Sequence, residues 1–96
     1  MKYSFVYIVT NKKRGTLYTG VTSDLVARIH QHKNKIFKGF SSKYNLERLV
    51  YYEVFEDIGE AILREKKLKR FSRSDKIKMI ESFNFEWNDL YDDVCG

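Results

Sequence analysis

A chain of 96 residues holds one domain and leaves no room for two cores, while 43% hydrophobic residues, with seven Tyr, seven Phe and one Trp among them, exclude a disordered segment. A single cysteine, Cys95, excludes an intrachain disulfide and fits a reducing, cytoplasmic setting; no stretch is long enough to span a membrane, and the apolar run after Met1 is too short for a secretory signal. The formal charge of +5 and a pI near 9.3 favour a polyanionic partner over a basic one.

Tyr3 to Thr10 predicts a strand, rich in β-branched and aromatic residues, with apolar side chains on both parities and therefore covered on both faces. Asn11 to Gly15 is a turn, and Thr16 to Val21 returns as a second strand in an antiparallel hairpin. A hairpin register that sets Tyr7 opposite Tyr18 would place both on one face. Ordinary cross-strand aromatic packing accounts for the pair equally well unless a polar partner lies between the hydroxyls.

A helix follows, capped by Thr22 or Ser23, with Asp24 suited to its positive first turn. Leu25, Arg28, Ile29 and His32 fall at i, i+3, i+4, i+7, so Arg28 and His32 project together from an otherwise apolar stripe. His30 points elsewhere, and with no paired cysteine a structural zinc site is not expected. Asn34 to Asn45 reads as a long basic loop, and Leu49 to Phe55 as a third strand. Asp57 with Glu60 opens a helix to about Phe71, and Ser72 with Asp75 opens another to about Ser82. Glu65 lies in the apolar stripe of the first of these helices. A carboxylate there is costly to desolvate unless it pairs with a lysine or binds a cation. Residues 84–96 form an acidic tail with Trp87, Leu90 and Tyr91, either packed as a short element or loose. The predicted fold class is α/β of the α+β type: a small mixed three-stranded sheet with helices packed against it, in the order β-β-α-β-α-α.

Charge is unevenly spread. Residues 1–43 carry nine Lys or Arg against Asp24 alone, residues 63–78 carry eight against Glu65 and Asp75, and the chain after Lys78 has five acids and no Lys or Arg. A solvated basic face would look the same, so charge by itself does not decide for nucleic acid.

Val6-Tyr7-Ile8, then Tyr18-Thr19-Gly20, then Arg28, His32 and Glu65, in this order, resemble the GIY-YIG nuclease pattern. The resemblance covers about the first 80 residues and is closest to the short stand-alone, UvrC-like (UPF0213-type) branch: YIVT, YTGVT, ARIHQH, the loop around Lys38 to Tyr44, LVYYEVF and REKKLK all occur in order. Residues 1–83 would then be the nuclease-like domain and 84–96 the appended tail. Val6 and Thr19 depart from the naming tripeptides. Val21 stands where several members have lysine, and Asn84 is the candidate for a polar residue that many members place after the glutamate helix.

The resemblance implies an endonuclease that hydrolyses phosphodiester bonds in nucleic acid, DNA foremost, in a setting such as repair or recombination. It implies a single divalent ion, Mg²⁺ or Mn²⁺, held by Glu65, since such an ion needs few protein carboxylates. Arg28 would grip the scissile phosphate, Tyr7 or Tyr18 would hold or deprotonate the attacking water, and His32 would bond the phosphate or orient a tyrosine. Positive charge from Arg28 would bring the tyrosine down from its usual pKa of about 10. Gly20 would let the backbone pass close to a neighbouring element or substrate, or simply end a strand. Lys12, Lys13, Arg14, Lys35, Lys38, Lys43 and Lys67 would track phosphates, and a protein partner could supply specificity. Two other readings remain open from sequence: a non-catalytic nucleic-acid-binding module on the same fold, suggested by Val21, and a protein-interaction domain acting through Trp87 and Tyr91.

Overall fold

In a computed structural model the described residues are 2–35 and 44–95. Strands β1 (Ser4–Thr10), β2 (Leu17–Thr22) and β3 (Arg48–Phe55) form one sheet in the order β2-β1-β3. Helix α1 (Leu25–Lys33) joins β2 to β3, and α2 (Ile58–Lys69), α3 (Arg73–Phe83) and the short α4 (Tyr91–Cys95) follow. The expected α+β class and element order are present. Both pairings of β1 are antiparallel, however, so the sheet is not mixed. β2 and β3 do run in the same direction, as a helical crossover dictates, but β1 lies between them and they never pair.

Local chemistry sets the helix starts. Asp57 accepts from the Glu60 amide and Ser72 from the Asp75 amide, as the two predicted caps require. At α1 the cap is Asp24 itself, whose Oδ1 accepts from the Ala27 amide; Thr22 stands two residues back, its hydroxyl accepting from the Asp24 amide.

β1 has apolar residues on both parities because each face is covered. Tyr7 and Val9 pack with Leu25 and Ile29 of α1 and with Leu46 and Leu49. On the other face Val6 meets Ala61 and Leu68 of α2, while Ile8 meets Val50, Tyr51, Ile80 and Trp87. A register shift between Ile8 and Val9 inserts Val50 as an extra residue in β3, which keeps Leu49 and Tyr51 on their proper faces.

Residues 84–95 belong to this core. Trp87 is fully buried, and its indole Nε1 donates to Glu81 Oε2 at 2.8 Å. Asn84 donates to the carbonyls of Val50 (3.2 Å) and Asn88 (2.8 Å), and the Leu90 amide donates to the Leu49 carbonyl at 2.8 Å. Asp89 accepts from the Leu49 amide at 3.2 Å. The segment thus covers the outer edge of β3 at Leu49 and Val50, crosses from the Trp87 face to the α1 face, and satisfies backbone groups that an open edge would present to other chains. Its aromatic anchor is therefore not available to a protein partner.

Candidate active site

The hairpin register differs from the expected one by two residues. Tyr7 stands opposite Gly20, and Tyr18 opposite Val9. The turn causes the offset: Arg14 adopts φ 56°, the Gly15 amide donates to the Lys12 carbonyl at 2.8 Å, and Asn11 Oδ1 accepts from the Thr16 amide at 3.0 Å, so six residues rather than four are spent between the strands. A two-residue shift preserves parity, and Tyr7 and Tyr18 still share a face. Gly20 has a specific function in this register. A Cβ there would lie 2.4 Å from Cζ and Oη of Tyr7, so the tyrosine ring lies across the glycine and its hydroxyl emerges past β2.

That hydroxyl meets α1. Tyr7 Oη and His32 Nε2 are 3.0 Å apart in a buried contact. The Tyr7 and Tyr18 rings both approach the imidazole edge-on, with centroids 5.6 and 5.7 Å from it. Arg28, one turn before His32, also hydrogen-bonds the tyrosine. The spacing on α1 thus brings Arg28 and His32 to one point, as the sequence predicts, with Tyr7 as the polar partner.

Burial decides the protonation states. It pushes Tyr7 up to about 12, over the opposing pull of Arg28, with Tyr18 and Glu65 adding to the rise. The expectation that Arg28 would bring this phenol below its ordinary value is therefore not met in the resting protein: desolvation of the phenolate outweighs one half-buried guanidinium. Burial, and then the Arg28 charge, push His32 down to about 4. Near neutral pH both groups are uncharged. Arg28 can only donate; when the phenol proton points to His32 Nε2, the neutral ring carries its own proton on Nδ1.

Glu65 approaches from α2, and its charge is felt at Tyr7. Its side chain is 12% exposed, and Oε2 accepts from Lys69 Nζ at 2.7 Å, one turn along. The hydrogen bond to Glu65 holds the Lys69 amine above its ordinary range. Three residues not singled out from sequence, Arg64, Glu53 and Tyr51, fix α2 on the sheet. Arg64 donates to both oxygens of Glu53 at 2.9 Å, Nε to Oε1 and Nη2 to Oε2, and Tyr51 donates to Glu53 Oε2. The signal was present in the segments YYE and RE, where Arg64 adjoins Glu65, but such a pairing joins two elements and has no periodicity.

The cations expected on phosphates fall into groups. Lys12, Lys13 and Lys67 are exposed. Arg14 binds Glu81 through Nε and Nη2, both at 3.1 Å, and Lys35 lies 4.0 Å from Glu47. Lys38 and Lys43 lie outside the described residues. Val21 faces α2 and packs with the Val6, Ala61 and Leu68 cluster, and Asn84 is committed to the β3 edge rather than to the site. No helix among the described residues is long and apolar enough to cross a membrane.

The donor set can be tested for a cation. Among the described residues no three His, Cys, Asp or Glu side chains cluster, so a cation held by Glu65 would have at most one further such ligand. That suits a hard, largely hydrated ion that also takes phosphate oxygens, and it does not suit an ion chelated by soft ligands.

The family model described as the GIY-YIG catalytic domain matches residues 3–78. Among curated proteins, the chain is 44% identical to a UPF0213 protein of Staphylococcus haemolyticus, over 84% of this chain and 98% of that one. A UPF0213 protein of Staphylococcus saprophyticus is 42% identical over 83% of this chain and 96% of its own length, and one of Staphylococcus aureus 38% over 84% and 98%. No solved structure gives a significant match.

Proposed function

We propose that this chain, which belongs to the GIY-YIG catalytic-domain family and to its UPF0213 branch, is a metal-dependent endonuclease that hydrolyses phosphodiester bonds in DNA, of the kind repair or recombination requires. The observation that carries the reading is the buried contact of Tyr7 with His32, bridged to Arg28 and within electrostatic reach of Glu65. A packing cluster has no use for a buried phenol–imidazole contact with a guanidinium and a carboxylate in electrostatic reach, whereas phosphoryl transfer needs a proton acceptor, a phosphate clamp and an anionic cation ligand together.

Mg²⁺ or Mn²⁺ at Glu65 would supply positive charge to the phosphate and the departing oxygen. The remaining steps belong to the chain. Arg28 matches two non-bridging oxygens with its planar fork and fixes the phosphate in line. Attacking water donates to Tyr7 Oη as the phenol passes its own proton to His32 Nε2, so the tyrosine relays and the imidazole receives. Phosphate arriving at Arg28 offsets the charge that helps to depress His32, so the imidazole becomes a better base when substrate is in place. Tyr18 holds the far edge of the ring. Lys12, Lys13 and Lys67 track the strand, and specificity comes from nucleic-acid shape or from a protein partner.

The test is cleavage of labelled single-stranded, duplex and branched DNA and RNA with Mg²⁺ or Mn²⁺, comparing wild type with Glu65→Ala. The expected result is divalent-dependent cleavage of DNA that drops by at least about a hundredfold in the variant while binding is retained. One observation favours a second reading: Lys69 already neutralises Glu65, as a binding module without chemistry would allow. Salt-sensitive binding with no cleavage by either protein would establish that reading instead.

A further inference from the structure

Lys76 on α3 lines a pocket of about 260 Å³ with Arg73 of the same helix and with Thr16 and Leu17 at the start of β2. The pocket lies outside the Tyr7–His32 cluster. Arg73 is held at its rim, because Nη2 donates to the Arg14 carbonyl in the hairpin turn. Lys76 is half-buried, and among the described residues no carboxylate pairs with it. The charge that acts on it is Lys69, of like sign, and burial together with Lys69 holds its amine below the ordinary lysine range. Desolvating an ammonium beside a second cation, with no acid to offset it, is unfavourable for an isolated fold. The arrangement becomes favourable when an anion enters. The neighbouring groups suit one with several oxygens: a guanidinium fork, a point-charge amine and the Thr16 side chain.

Lys69 connects this pocket to the candidate active site, since its amine pairs with Glu65 and is felt at Lys76. We propose that the pocket lined by Thr16, Leu17, Arg73 and Lys76 is a phosphate subsite that holds a backbone phosphate of bound nucleic acid other than the one aligned by Arg28. The source of the phosphate rests on the nuclease reading; the affinity for phosphate rests on the pocket alone.

Equilibrium binding of the full chain to a labelled DNA oligonucleotide, repeated across a salt series, tests it. Lys76→Ala is expected to weaken binding roughly five- to tenfold and to lower the slope of log K against log salt by about one, with Lys76→Arg within about twofold of wild type. Lys78→Ala, which removes the same charge from an exposed position on the same helix, is expected to change much less. Lys76→Met keeps the apolar length of the stem, so loss of affinity with an unchanged urea midpoint separates charge from folding. Equal effects of the Lys76 and Lys78 variants would overturn the subsite. If wild type binds no nucleic acid, the nuclease reading fails separately, and inorganic phosphate is titrated against the Lys76 amine resonance. A saturable shift would retain a phosphate site while overturning its backbone assignment; no shift would overturn the site.

Discussion

His32 carries a balance that pH can move. Its imidazole is 3% exposed and is pushed down to about 4 from an ordinary 6.5, by burial first and the Arg28 charge second. The neutral ring therefore favours the fold fully above about pH 6.5. As the pH falls, the unfolded chain takes up a proton that the folded one refuses, and this contribution is lost progressively through about pH 4. Its size is roughly 3 kcal/mol. Urea unfolding near pH 7 and near about pH 4.5 should show that loss in wild type and a flatter dependence in His32→Gln. An equal slope in the two would mean that the ring is solvated. The proposed relay needs the same neutrality, since a histidine already protonated could not accept the phenol proton. Elsewhere the buried Thr19 hydroxyl has no hydrogen-bond partner among the described residues, so its site uses the β-branched shape and not the oxygen.

At the scale of elements, the C-terminal segment is a structural part of the sheet. Removing residues 84–96 would strip the backbone partners of Leu49 and Val50 and take Trp87 out of the cluster with Ile8, Val50, Tyr51 and Ile80. Losing a buried tryptophan alone costs about 3–5 kcal/mol, a large share of a small domain's stability. The shortened chain is expected to lose its cooperative urea transition, and Trp87→Phe to shift the midpoint only part of the way; an unchanged midpoint after removal would show the segment to be dispensable. This packing was not legible in the sequence, because a local period does not say which strand edge a segment covers, and the partner of Asp89 lies 40 residues away, at Leu49. What was legible was local: the element order, the caps at Asp57 and Ser72, and the Arg28–His32 stripe. The hairpin register was not, because shifting it by two leaves the hydrophobic alternation identical and the choice falls to the αL geometry of Arg14. The Arg64–Glu53 fork escaped for the same reason as the tail, since only the fold brings its halves together.

Over the whole molecule, the charge asymmetry is partly internal. Glu81 holds Arg14 at the hairpin and Asp89 holds Lys33 on α1, so two of the C-terminal acids tie down basic segments rather than repel a partner. Among the described residues, Lys12 and Lys13 of the hairpin turn and Lys66 and Lys67 of α2 stay exposed. The central position of β1 has a further consequence. It is the strand paired on both sides, and its residues join all three core clusters. In deuterated solvent its amides should exchange last, at a rate set by global unfolding, while those of α4 and the hairpin turn exchange through local opening. Mass spectrometry of peptides containing residues 5–9 would check the order, and earlier exchange there than in α4 would refute it. The proton relay would then start from a backbone that almost never opens, with the movable parts of the site arriving on helices.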